Sequence, residues 1–181
     1  MARRLISDIS DLFTGFPLSS RDFAEAGDVS VIQLRDVAKD AIKITDLKRT
    51  DMTVGNPNKF VRKGDVLFKS RGHVLEAFAV THDPERTVVT NGFIVLRPYD
   101  NVLPRYLAWV LNNASFGRVT QQTHMMRSVS MGDLRQQSVP FPDLAGQQKV
   151  IDMSDEIDAG KELAANYFFA AEEYLRGSIF K

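Results

Sequence analysis

The chain has 181 residues with 23 basic and 23 acidic side chains, a formal net charge of zero, and 44% hydrophobic and 25% charged residues, which fits one well-cored globular domain with room for an appendage. The lack of cysteine excludes disulfides and thiolate metal sites and fits a reducing cytoplasm. No apolar run approaches the roughly 20 residues that cross a bilayer, and MARRLISDISDLF turns acidic after two arginines, unlike a signal peptide.

Residues 1 to about 25 read as an entry segment: a short helix-like piece, then the turn-rich loop TGFPLSSRDF. From Val29 to Pro98 the pattern is mainly β. VSVIQLRDV alternates, with Val29 and Val31 on one face, and AIKITDL places Ile42 and Ile44 on one face. VGNPNK is dense in turn formers. FVRKGDVLFKSRG, LEAFAV and TVVTNGFIVLRP follow, rich in β-branched and aromatic residues. Val66, Leu67 and Phe68 form an apolar run suited to a buried strand, with Phe60 and Phe68 expected in the core. That run is flanked by Arg62, Lys63, Lys69 and Arg71 and closed by Gly72.

Helical signals take over next. Pro104 suits a first helical turn, and Tyr106, Leu107, Val110, Leu111 and Ala114 recur at helical spacing until Gly117 stops the helix. Trp109 and Phe116 are read as its core residues. RVTQQTHMMRSVS is predicted to be a loop and MGDLRQQ a short helix. VPFPDL is extended, because each proline pushes its predecessor out of the helical region. In the tail, Val150, Ile157, Ala164 and Ala171 repeat at intervals of seven, the spacing of a coiled-coil core position. Roughly 32 helical residues extend about 48 Å, too far to bury their stripe on a domain about 30 Å wide. Part of the stripe is therefore expected to meet another helix.

Charge is unevenly spread. Lys43 to Arg71 holds eight basic residues against three acidic, and Leu103 to Arg135 four against one. Ala145 to Lys181 reverses the sign, with four basic and seven acidic. Two basic segments and an acidic tail imply a positive face on one part and a different role for the tail. Phosphate-binding glycine loops, the zinc motif His-Glu-x-x-His, nucleophile elbows and the amino-methyltransferase signature are all missing from the sequence. The three histidines, His73, His82 and His124, are scattered.

The order of FTGFPLSSRDF, GDVSVIQLRDV, FVRKGDVLFKSRG, GFIVLRP, YLAWVLNN and QQTHMMRSVSMGDLRQQSVPFPDLAGQQKVI, ending in the heptad tail, resembles a target recognition domain of the DNA specificity (S) subunit of type I restriction-modification systems. The resemblance implies an α+β fold with a mixed, curved and partly barrel-like sheet and packed helices, followed by a long C-terminal coiled-coil-type helix. It implies residues 1–143 as a DNA target recognition domain and 144–181 as a helix for dimerisation and assembly. It further implies a non-catalytic subunit without a cofactor that recognises duplex DNA for an adenine-methyltransferase subunit, with a restriction subunit as a further partner. A full S subunit carries two such domains and two antiparallel helices. One of each is present here, so the chain looks like a half subunit or a truncated product, expected to pair with a second copy.

DNA binding needs Lys and Arg against phosphate and side chains that reach base edges. The loop Lys69, Ser70, Arg71, Gly72 and His73 is the first candidate. Arg71 suits guanine or phosphate equally, and Gly72 permits close backbone approach. Gln121, Gln122, Thr123, His124 and Arg127 form the second candidate, and Lys48 with Arg49 a weaker third. The assembly stripe is Val150, Ile157, Ala164, Phe168, Ala171 and Leu175. Two other readings stand beside this one: an assembly or regulatory protein that binds the methyltransferase or competes with full S subunits, and a small nuclease using Asp65, His73 or His124 with a metal. Gly64 and Asp65 are otherwise expected to serve a turn.

Overall fold

The computed structural model describes residues 2–38, 41–42, 46–116, 120–123 and 126–179, without the side chains of 38, 41, 120–123, 126 and 174–179. In chain order the elements are β1 (Arg3–Leu5), β2 (Ser10–Thr14), β3 (Val29–Ile32), β4 (Val37–Ala38), β5 (Ala41–Ile42), β6 (Lys48–Thr50), β7 (Val66–Lys69), β8 (Arg71–Gly72), β9 (Ala77–Ala79), β10 (Thr87–Val89) and β11 (Phe93–Pro98). Helix α1 (Pro104–Asn113), β12 (Thr120–Thr123), β13 (Met126–Ser128), α2 (Met131–Arg135), β14 (Ser138–Pro140) and α3 (Leu144–Ile179) complete the chain.

The central sheet, in the order β2-β11-β7-β9, is antiparallel throughout. Its apolar runs are continuous because both faces are covered. Leu12, Val66, Phe68, Ile94 and Leu96 face a core shared with α1, Leu134 of α2 and Ile151 of α3. The alternate residues Leu67, Phe78, Phe93 and Val95 face a second core with Ile32, Val61, Val80 and Val89. The sheet β10-β3-β6 lies beyond this second core, with β10 parallel to β3. Its outer residues Val29, Val31 and Val88 meet Phe16, Phe23 and Phe60. Gly15 lets the two layers touch: a Cβ there would sit 2.3 Å from the carbonyl oxygens of Val89 and Thr90. The fold is thus α+β as expected, with no closed barrel among the described residues.

Four expectations are corrected. The entry segment forms β1 and β2 around a single 3-10 turn, because β2 finds a partner in β11 and β1 in β14. The segment 120–128, expected as a loop, contains the paired strands β12 and β13. Helix α1 ends at Asn113 instead of continuing to Gly117, which lies outside the described residues. There Asn112 turns away to bond both the Ala77 amide and carbonyl, 2.7 and 3.0 Å, and Asn113 caps the Trp109 carbonyl at 2.9 Å. Phe116, beyond the helix, packs its ring 5.3 Å from Phe68, whereas Trp109 is 38% exposed beside α3 rather than in the core.

The start of α3 follows Pro142, as the sequence indicates, and is tied down. Fully buried Gln147 accepts from the Leu103 amide (2.8 Å) and donates to the carbonyls of Asn101 (3.0 Å) and Pro142 (3.1 Å). Arg105 of α1 grips Asp155 through both carboxylate oxygens, 2.5 and 3.1 Å. Tyr106 donates to the Pro140 carbonyl (2.9 Å), and burial raises its phenol above the ordinary tyrosine range. No helix among the described residues is long and apolar enough to cross a membrane.

Candidate nucleic-acid interface

Lys69 closes β7 with its side chain turned inward. The ammonium donates to the Val37 carbonyl at 2.9 Å and to Glu76 Oε2 at 3.0 Å, and lies 5.2 Å from the Phe78 ring centroid. Only 14% of the side chain is exposed. Its charge is neutralised within the fold and holds β4 against β7. Ser70 is fixed as firmly: its amide and its hydroxyl both donate to the Gly92 carbonyl at 3.0 Å, and its own carbonyl accepts from Val129. Gly72 has φ +143°, a conformation that a side chain strains, although the space around a Cβ is open to 3.6 Å.

The chain then projects outward. β8 pairs with β13, and β13 with β12, all antiparallel. Arg127 stands opposite Gly72 on one side and position 121 on the other; Ser128 stands opposite Arg71 and position 120. Arg71 and Gly72 of the first DNA candidate and Gln121, Gln122, Thr123 and Arg127 of the second therefore share one three-stranded sheet. Because neighbouring residues on a strand alternate, the register sends Arg127 and Arg71 to opposite faces. Both are exposed, as is His73 in the bend after β8. Gln121, Gln122 and Thr123 lie on β12, with a register shift between 121 and 123. Their side chains, and all of His124, lie outside the described residues.

Lys48 and Arg49 sit apart from this sheet, on β6. Lys48 stacks 4.9 Å over Phe23, and Arg49 donates to the Gly27 carbonyl at 2.5 Å. Both remain exposed. Asp65 has a structural role. Arg97 meets its two oxygens at 2.8 Å each, and the Arg62 amide adds a third bond at 3.0 Å. Among the described residues no group of His, Asp and Glu could hold a metal ion.

Asn91, absent from the sequence candidates, adjoins the candidate surface: Arg71 Nη2 donates to Asn91 Oδ1. The signal for it was the Asn-Gly pair inside TVVTNGFIVLRP, a turn dipeptide that divides the run into β10 and β11.

Helix α3 supplies a second surface. Val150 is half buried against the helix's own domain and Ile151 is fully buried, so the first heptad serves the core. Beyond it, Ile157 (57%), Leu163, Tyr167, Phe168 (69%) and Phe169 are exposed. At 100° per residue Ile157, Ala164, Phe168, Ala171 and Leu175 fall within an arc of about 60°, a narrow seam. The side chain of Leu175 lies outside the described residues.

Solved structures with a similar fold include chains from type I restriction-modification systems. The HsdS subunit from Thermoanaerobacter tengcongensis superposes with a TM-score of 0.67 at 20% identity, over 91% of this chain and 38% of that one. A chain from a structure titled for complex assembly and conformational transition of the type I R-M system gives 0.63 at 20%, over 91% and 39%. The S subunit from M. genitalium gives 0.52 at 14%, over 91% and 41%. The chain thus spans about two-fifths of the length of these proteins. No curated relative matches it. The family model of the type I restriction modification DNA specificity domain matches residues 2–166, and with the fold and the paired basic strands this places the chain in the type I restriction-modification DNA specificity domain family.

Proposed function

We propose that residues 1–143 form a non-catalytic module that recognises duplex DNA in sequence-specific fashion in the cytoplasm, directing an adenine-methyltransferase subunit, and in a complete system a restriction subunit, to its site. The observation that carries this reading is the pairing of β8, β13 and β12 in one sheet, with the exposed Arg71 and Arg127 on its two faces. The major groove admits a two-stranded β-ribbon, and the β8–β13 pair at one edge of the three-stranded sheet is such a ribbon, carrying Arg71 and Arg127. The sequence candidate His124 lies outside the described residues; His73 extends the same surface, and Gln121, Gln122 and Thr123 are proposed to contribute to it from β12. Ser70, Gly72 and Lys69 position it, and Lys48 and Arg49 offer phosphate contacts from β6. Binding of the purified chain to duplex DNA across a salt series tests the reading. A steep fall in affinity with salt supports it, and equal loss of affinity in Arg71→Ala and Arg127→Ala assigns the surface. Salt-independent or undetectable binding overturns it.

Residues 144–181 serve assembly in this proposal. The exposed apolar stripe of α3 pairs two copies about a two-fold axis, which makes two recognition domains from one kind of chain. A regulatory variant of the reading, in which α3 captures the methyltransferase or competes with full S subunits, uses the same stripe. It differs in requiring no DNA binding, so the salt series separates the two.

A further inference from the structure

The turn between β10 and β11 reaches the ribbon at one residue. Its position is fixed from two sides: the Asn91 amide donates to the Phe16 carbonyl at 2.8 Å, and the Gly92 carbonyl takes both Ser70 bonds at 3.0 Å. The Phe93 amide closes the turn on the Thr90 carbonyl at 3.0 Å. Asn91 and Arg71 are therefore held side by side by backbone contacts, before their side chains meet. A guanidinium carries five donors and no acceptor, so the Asn91 carboxamide must turn Oδ1 toward Arg71 and Nδ2 away. One Nη2 hydrogen is taken by Asn91. The other, with a neighbouring N–H, leaves a complete two-pronged edge for an external acceptor.

We propose that Asn91 is a positioning residue for base readout: it holds the Arg71 guanidinium so that its free edge meets a purine acceptor pair, guanine N7 and O6 in the major groove. An unheld arginine on an exposed two-residue strand samples many rotamers, and ordering it on binding costs conformational entropy. A neutral acceptor removes much of that cost without cancelling the charge that DNA attracts. A carboxylate in the same place would form an ion pair and compete with the base. This inference rests on the reading of β8 and β13 as the DNA surface.

The test uses the full chain and a duplex selected from a randomised library by binding to it. Asn91→Ala is expected to weaken the selected duplex by about three- to tenfold, leave a scrambled duplex nearly unchanged, and keep the salt slope, since no phosphate contact is lost. Repeated selection should show preference relaxed at the same base pair as in Arg71→Ala. The double variant should lose no more than Arg71→Ala alone. Asn91→Asp, which keeps the acceptor, should retain the base preference at lower affinity; if Asn91→Ala melts early, this variant decides. Additive losses, relaxation at a different base pair, or a changed preference in Asn91→Asp overturn the inference. Normal binding by both Arg71→Ala and Arg127→Ala removes the DNA surface itself and the inference with it. Weak binding by Arg71→Ala beside unaltered Asn91→Ala removes the inference alone.

Discussion

Asp65→Ala is expected to destabilise the chain severely although the residue lies in a turn. Asp65 is 1% exposed and the Arg97 side chain 13%. Removing the carboxylate leaves the guanidinium with the carbonyls of Asn58 and Phe60, at 2.9 and 3.0 Å, and the face of Phe13, and no counter-charge. It also orphans the Arg62 amide. Breaking a buried pair from one side costs about 3–5 kcal/mol, a large part of the roughly 5–15 kcal/mol that keeps a domain folded. At this chain length about 1 kcal/mol shifts Tm by roughly 2–4 °C, so a drop on the order of 10 °C is expected. Urea midpoints and thermal melts measure it. The double variant Asp65→Leu with Arg97→Met should recover much of the loss, because no unpaired charge remains. A single-variant loss under about 1 kcal/mol, outside the range for buried pairs, refutes the reasoning. So does a normally stable Asp65→Ala that loses a hydrolytic activity.

Three other outcomes follow from the same geometry. Lys69→Met should lower stability by about 1–3 kcal/mol through loss of the Val37 and Glu76 bonds, with the salt slope of DNA binding unchanged; a reduced slope would return Lys69 to the DNA surface. Arg127→Ala should leave the melt unchanged, as exposed substitutions do, and weaken DNA binding; a phosphate contact predicts a slope smaller by about one, a base contact an unchanged slope with relaxed specificity. Ile157→Asp should leave the globule folded and shift the chain from dimer to monomer in light scattering at tens of micromolar, because pairing would bury an unpartnered charge; a monomeric wild type refutes the seam.

Residues whose fate is set by local pattern were the legible ones. Val66 to Phe68 and Phe93 to Leu96 are continuous apolar runs, and the structure buries both faces of β7 and β11. Pro142 and the heptads mark α3. Lys69 reads from sequence as a candidate DNA contact, and nothing local reveals that Val37, Glu76 and Phe78 converge on its ammonium. β1, β2, β12 and β13 were missed for a related reason. β1, β2 and β13 take their conformation from partners distant in sequence, β14, β11 and β8, and β12 pairs in turn with β13. α1 stops early because Asn112 is drawn to the edge of β9, a contact absent from any periodicity. The two DNA candidates stand apart in the sequence, and the β8–β13 pairing brings them together.

The sheet that carries Arg71 and Arg127 and the helix that carries the seam are joined by continuous packed structure. Val129 ties β13 to Ser70 at the end of β7, and β7 pairs with β11. Phe68 of β7 lies in the same core as Tyr106, Leu107 and Leu111 of α1, while Tyr106 is bonded to Pro140 just before α3. Gln147 and Asp155 then fix the direction in which α3 leaves. None of these links is a long surface loop able to absorb a rotation. In a two-fold dimer paired along the seam, this rigidity sets the distance and phase between two DNA ribbons, much as dimer geometry sets half-site separation in other DNA readers. On the proposed function, a site read by this chain is a palindrome with a fixed spacer. Inserting one heptad into the exposed part of α3 should lengthen that spacer while leaving both half-site sequences unchanged. A selection that returned altered half-sites at the original spacing would break the link between helix and sheet.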